Sequence, residues 1–271
     1  MTAALLTKGR TAGARRAGRR PSRFPLGAAG LLALGILWES LTRLGLASTA
    51  IPPLSATLVD LFTLVRLTSF WQALGLTLGS AALGFLLAAV LAIPLGVLLA
   101  SKWWAARAAG VLVESFRPVP PIVILPLALL LLGGGLSFKL ALILQGVFWV
   151  LLIQTIYGVR GVDPVLLDTA DTFRIRGWRR LLLVRVPAAA PVIASSILLA
   201  ATSAFGVSIV SELIGGERGL GQLLAVAQSG NNVVRVYAVT IAIGLVGLVV
   251  AAACRWLEHE ILAWHGGGTK P

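Results

Sequence analysis

Asp163-Pro-Val-Leu-Leu-Asp168-Thr-Ala-Asp171-Thr-Phe-Arg174-Ile-Arg176-Gly-Trp178-Arg-Arg180-Leu-Leu-Leu-Val-Arg185-Val-Pro187-Ala-Ala-Ala-Pro191 is a polar and basic run between two long apolar stretches. The residues on either side are greasy enough to sit in lipid. A charged, helix-forming insert between them must lie in water at a membrane surface, because charge in hydrocarbon is costly. Asp163 can accept from the free amides of a first helical turn, and Pro164 fits that turn. Val165, Leu166, Ala170 and Phe173 can then form one apolar side, with Asp168, Asp171 and Arg174 elsewhere on the surface. Gly177 allows a turn, Trp178 to Val186 can make a second short helix, and Pro187 and Pro191 open the next apolar stretch. The pattern predicts a short amphipathic helix pair lying along the membrane plane, placed as a handle for a soluble partner.

Composition agrees with that setting. The chain is 58% apolar and 12% charged, with a formal net charge of +13. A soluble domain carries about 25% charged residues. These values indicate an all-α, polytopic membrane protein. In such a protein the basic excess reports topology and not nucleic acid. The single cysteine, Cys254, excludes an intrachain disulfide and a Cys/His metal cluster.

Six apolar segments are long enough to cross a hydrocarbon core of about 30 Å, near 26–46, 73–101, 109–132, 138–157, 188–214 and 236–256. The third is irregular: Pro118, Pro120, Pro121 and Pro126 must break or bend it, and it ends in Gly133-Gly-Gly135. Seven basic residues precede the first segment. The apolar stretch behind them is too long for a signal peptide, so an uncleaved first span is expected. Lysines and arginines orient the rest. The tail, Lys102, Arg107, Arg160, the arginines of the insert, Arg255 and Lys270 fall on one side. Arg43, Arg66, Lys139, Arg218 and Arg235 fall on the other. This asymmetry predicts cytoplasmic termini and a cytoplasmic insert. The expected division is a basic, disordered tail over 1–25, a transmembrane domain over 26–265 with the insert at 163–187, and a C-terminal tail over 266–271.

Small residues mark packing faces. Ser80, Gly84, Ala88, Ala92 and Gly96 recur every four residues along the second span, which lets a neighbouring backbone approach closely. Ser196, Ala200, Ala204, Ser208 and Glu212 recur likewise along the fifth, where helix packing and pore lining both stay open.

The insert resembles the EAA signature of membrane subunits of bacterial ATP-binding-cassette importers. That pattern is Glu-Ala-Ala, three residues, Gly, nine residues, Ile, one residue, Leu-Pro. With Pro187 on the final proline, Asp168 takes the Glu position, Thr169 and Ala170 the alanines, Val184 the Ile and Val186 the Leu. Arg174 stands where the family has glycine, and Gly177, three residues later, is the candidate to take over the turn. Trp38-Glu39, Ile51-Pro-Pro-Leu-Ser55, Arg117-Pro-Val-Pro120, Ile124-Leu-Pro126 and Gly219-Leu-Gly221 resemble further family segments. The set is most similar to the nitrate, sulfonate, taurine and bicarbonate branch and covers roughly residues 30 to 260.

The resemblance implies a type I importer fold of six spans, with coupling helices between the fourth and fifth. It implies that Asp168, Thr169, Ala170, Asp171, Phe173, Arg174, Gly177, Trp178 and Pro187 pass motion from an ATP-binding subunit. It also implies two such subunits holding ATP and Mg, a second permease copy, an extracytoplasmic solute-binding protein and a bacterial inner-membrane location. No cofactor is expected on this chain itself, because no glycine-rich loop ends in Gly-Lys-Ser/Thr. No catalytic constellation, metal site or nucleic-acid surface is expected either, and His259 and His265 read as solvated.

Candidates for the translocation pathway are Glu114, Arg117, Pro120, Ser203, Ser208 and Glu212. Glu114 and Arg117 are three apart and can neutralise each other on a persisting helix. Arg117, just before the proline-rich break, is the residue best placed to attract an anion. Glu212 would oppose one, which favours a packing or gating role. Within the branch the expected solute is an anion such as a sulfonate, taurine or nitrate, with an aromatic carboxylate or a vitamin precursor as the alternative. A membrane anchor or signalling subunit would use the same insert without transport; the prolines and glycines of the third span argue against it.

Overall fold

The computed structural model describes residues 23–262 except 47, 49 and 117. Arg117, the basic tail ahead of residue 23, His265 and the C-terminal tail lie outside the described residues. The chain divides into two compact units, Met1–Ser48 and Thr49–Pro271. In the first, α1 (Arg23–Arg43) is the described element, and Arg43 pairs with Glu39 one turn before it at 2.6 Å.

The second unit holds α2 (Leu54–Arg66), α3 (Thr68–Ser101), α4 (Trp103–Phe116), α5 (Pro121–Leu132), α6 (Leu136–Arg160), α7 (Pro164–Thr172), α8 (Gly177–Arg180), a π-helical stretch (Leu181–Arg185), α9 (Val186–Gly215), α10 (Leu220–Ser229) and α11 (Val233–Leu262). Every regular element among the described residues is helical. Four helices there are long and apolar enough to cross a membrane: α3, α6, the helix entering at Gly177, and α11. The other two expected segments are α1 and the α4–α5 pair. The proline cluster splits the third segment, because Pro120 sits just before α5 and Pro121 at its first position, where the missing N–H costs nothing.

The centre of the second unit is built by α3, α6 and α9. Ala88, Ala92, Ala200 and Ala204 are buried against Ile143, Val147 and Leu151. A Cβ placed on Gly84 would stand 2.6 Å from Ile143 Cγ2, and one on Gly96 2.7 Å from Thr155 Cβ. The four-residue stripe of α3 is therefore a close-packed seam against α6. The stripe of α9 resolves the same way. Ser196, Ala200, Ala204, Ser208 and Glu212 are all buried inside the unit, where they pack against its other helices.

One expected break is absent. Backbone angles stay right-handed helical through Arg180, Leu181 and Val186, so α8, the π stretch and α9 form one helix from Gly177 to Gly215. Pro187 lacks an N–H and crowds the carbonyl four residues earlier. The widened turn at Leu181–Arg185 lies directly ahead of it and relieves that clash without ending the helix.

Candidate functional site

The polar insert begins as expected. Asp163 Oδ1 accepts from the Val165 amide at 2.8 Å, with Pro164 at the first helical position. Its far end is a left-handed cap. The Arg174 amide donates to the Asp171 carbonyl at 2.9 Å and the Ile175 amide to the Ala170 carbonyl at 2.9 Å. That paired pattern closes a helix when the residue after the cap adopts positive φ. Arg174 does so at φ 56°, in the position where glycine is ordinarily used. The turn thus stays at Arg174; Gly177, at φ 60°, adds a second left-handed residue and does not replace it.

Arg180 fixes this short helix to the long one. Its Nη1 lies 3.1 Å from Asp171 Oδ1, and its Nη2 donates to the Leu167 carbonyl at 3.1 Å. Ala170 is buried, facing the body of the unit. Phe173 is 74% exposed, Trp178 58% and Val165 69%, and Leu166 is also exposed. The anticipated single apolar side is therefore divided: one small residue packs inward and the large ones face out. Asp168, Thr169, Arg174, Gly177 and Pro187 are exposed, and Asp171 is half-buried beside Arg180.

Roughly 40 Å of helix separates this insert from Glu212, where the second feature lies. Glu212 is 0% exposed. Lys139, counted on the outer face at the start of the fourth span, is buried in the first turn of α6, with its Nζ 2.6 Å from Glu212 Oε1. Glu212 Oε2 accepts from Thr77 Oγ1 at 2.8 Å and from the Gly221 amide at 3.0 Å, while Ser208 Oγ donates to Oε1 at 3.3 Å. Thr77 Oγ1 in turn accepts from the Leu220 amide at 2.9 Å, and Ser80 and Ser208 share a hydrogen bond of 2.9 Å. Lys139 also donates to the Arg218 carbonyl at 3.3 Å. One carboxylate thus ties α3, α6 and α9 to the start of α10. A Cβ on Gly219 or Gly221 would collide with Glu212 or the backbone beside it, which explains Gly219-Leu-Gly221. Nearby, Glu217 accepts from the Gly135 amide, giving the triple glycine a comparable role.

The pathway candidates scatter. Ser208 and Glu212 belong to the buried clamp. Ser203 is half-buried and donates to the Leu199 carbonyl at 2.8 Å. Pro120 is exposed at the head of α5. Glu114 lines a cavity of about 330 Å³ with Tyr157 and Arg160. The pairing of Glu114 with Arg117 falls outside the described residues. Sequence reading missed Thr77, Lys139 and Arg180; a basic residue at the start of an apolar helix was the available signal for Lys139.

A family model described as the binding-protein-dependent transport system inner membrane component matches residues 92–262. The chain belongs to this family. A Methanocaldococcus jannaschii protein assigned to ABC transporter permeases is 35% identical over 182 residues, covering 67% of this chain and 68% of that one. The taurine transport system permease protein TauC of Escherichia coli is 26% identical over 256 residues, covering 90% and 93%. A Bacillus subtilis protein assigned to aliphatic sulfonate transport, SsuC, is 30% identical over 229 residues, covering 84% and 83%. A chain of the MetNI methionine ABC transporter in inward-facing form shares the fold, with TM-score 0.61, 18% identity, and coverage of 68% of this chain and 92% of that one. The chain is thus a multi-pass permease component of an ABC import system.

Proposed function

We propose that this permease moves a small organic or inorganic anion, with a sulfonate or taurine as first choice, by alternating access. ATP is hydrolysed with Mg in two copies of a separate ATP-binding subunit. A second copy of the permease completes the membrane part, and an extracytoplasmic binding protein delivers the solute. The insert and both termini face the cytoplasm, following the distribution of lysine and arginine. The names of TauC and SsuC support the choice of solute.

One observation carries the coupling role. The insert is held rigidly by the Asp163 cap, the Arg174 turn and the Arg180 bridge, yet presents Phe173 and Trp178 to the outside. Exposed aromatics on an ordered, charged element are suited to fill a partner's groove. Movement of that groove is passed through Arg180 to the helix that runs from Gly177 to Gly215. Asp168, Thr169 and Arg174 supply the polar rim, Ala170 seats the insert against its own bundle, Gly177 turns the chain between the two helices, and Pro187 lies where the long helix enters the span.

The test is co-purification from the native membrane, followed by transport and ATPase assays in vesicles. An ATP-binding-cassette subunit and a binding protein are expected in the purified complex. Asp168→Lys, at an exposed position, should leave assembly of the permease intact and uncouple hydrolysis from uptake, and Ala170→Trp, at a buried one, should uncouple them by pushing the insert off its seat. Normal coupling in both variants would remove the insert from the mechanism. Uptake stimulated by a cation or sugar and not by sulfonates, taurine or nitrate would overturn the choice of solute.

A further inference from the structure

Two cavities meet at the end of α3. The first, of about 300 Å³, is lined by Ser101, Lys102, Trp178, Arg180 and Arg185 among others. The second, of about 660 Å³, runs along α3, α4 and α6 past Leu95, Leu99, Trp104, Phe148 and Leu152. Ser101 and Lys102 line both. The first is cationic and the second almost wholly apolar, and no Asp or Glu is found among the described residues lining either.

The cationic half has unmet hydrogen-bonding capacity. Arg180 Nε and Arg185 Nε are buried without a hydrogen-bond partner among the described residues. Arg180 has already given its two Nη groups to Asp171 and the Leu167 carbonyl, so Arg185 and Lys102 are the cations left for an outside anion. A soluble phosphate would meet the cationic half alone and leave the apolar groove unexplained. An apolar helix from another chain would fill the groove and leave the arginines unmet.

We propose that the joined cavities hold one anionic glycerophospholipid, its phosphate on Lys102 and Arg185 and an acyl chain along α3, α4 and α6. Basic pockets between spanning helices at a membrane surface bind such headgroups in general. The site lies beside Trp178 and at the root of the helix that enters at Gly177, so the lipid braces the segment through which the insert is joined to the bundle. The proposal depends only on membrane residence and not on the identity of the solute or the ATP-binding subunit.

The test uses the intact complex in nanodiscs of phosphatidylcholine with a minor share of phosphatidylglycerol, re-extracted into detergent and analysed for retained lipid by native mass spectrometry. The wild type should keep phosphatidylglycerol in preference to phosphatidylcholine. Each basic residue near an anionic headgroup strengthens binding about fivefold, so Lys102→Gln/Arg185→Gln should lower the preference by roughly twenty-five-fold. Lys102→Arg/Arg185→Lys should keep most of it, which separates lost charge from lost folding. Ala108→Trp, which fills the groove without changing charge, should also reduce retention. Equal retention by wild type and the glutamine variant would overturn the proposal. So would binding of inorganic phosphate with no retained lipid, or loss of the ATP-binding subunit from the glutamine variant at unchanged lipid retention.

Discussion

At one end of the bundle the charged groups are sealed in, and at the other the aromatic ones stand in the open. Glu212 and Lys139 are buried where chemical intuition expects apolar side chains. Phe173 and Trp178 are exposed where it expects charges. Both arrangements depart from the ordinary partition of residue types, but in opposite directions and with different meanings. Buried charge is tolerable only when its bonding capacity is met within the chain, as the partners of Glu212 do. Exposed aromatic surface is tolerable when a partner covers it. The clamp is complete within this chain, whereas the insert asks for something outside it.

The sharpest way to break this comparison is to unbalance the clamp. Lys139→Met leaves Glu212 buried without its cation, and breaking a buried pair in this way costs about 3–5 kcal/mol. A large fall in thermal stability of the detergent-solubilised protein is expected. Adding Glu212→Gln should restore more than half of that loss, because glutamine still accepts from the Gly221 amide and no unpaired charge remains. A double variant as unstable as the single one would mean that charge pairing does not hold this end together.

The close approach of α10 gives the next effect. A methyl group on Gly221 has the Ile209 carbonyl, the Leu213 amide and Glu212 Cβ in its way. Gly221→Ala should cost up to about 3 kcal/mol, in the range of overpacked cores. Full stability in that variant would show that α10 can shift freely, and the clamp would then be no constraint on the loop.

The other end should respond in binding and hardly in folding. Phe173→Ala and Trp178→Ala each remove an exposed ring, so stability should change by no more than about 0.5 kcal/mol. Affinity for the ATP-binding subunit should fall by about 2 kcal/mol for an aromatic anchor, roughly thirtyfold. Equilibrium binding of the purified subunits measures both halves of the contrast. Destabilisation without loss of affinity would make the two ends alike.

How much of this was legible beforehand follows from what sequence patterns encode. The small-residue stripe of α3 was readable because helical periodicity maps one-dimensional spacing onto one face, and Gly84 and Gly96 meet α6 as that spacing requires. The Asp163 cap was readable because capping is local. Lys139 with Glu212 was not, since 73 residues separate them and no local rule joins the start of α6 to the end of α9. Arg180 was hidden for a related reason: thirteen residues and a reversal of the chain lie between it and the Leu167 carbonyl it meets. The continuity of α8 into α9 was missed because Pro187 was read as opening a new helix after a separate short one. A single widened turn upstream absorbs its ring, and sequence spacing alone does not reveal that turn.

The smallest expected effect tests how the insert keeps its shape. Arg174 closes α7 at φ 56°, where a side chain crowds the backbone and costs about 1–2 kcal/mol. Arg174→Gly removes that crowding, and the greater freedom of glycine in the unfolded chain takes back about 0.5–1 kcal/mol. The net expectation is a gain of about 0.5–1 kcal/mol, with uptake still coupled to hydrolysis, since the two capping bonds are made by backbone amides and carbonyls. Melting temperature and uptake per ATP measured on the same preparation read the two halves separately. A gain in stability with normal coupling would place the shape of the insert in its backbone and leave the arginine as one more surface charge. A gain in stability with lost coupling would be the more instructive result. It would mean that the strained arginine is kept for a contact on the partner, and that the exposed end depends on charge as well as on Phe173 and Trp178.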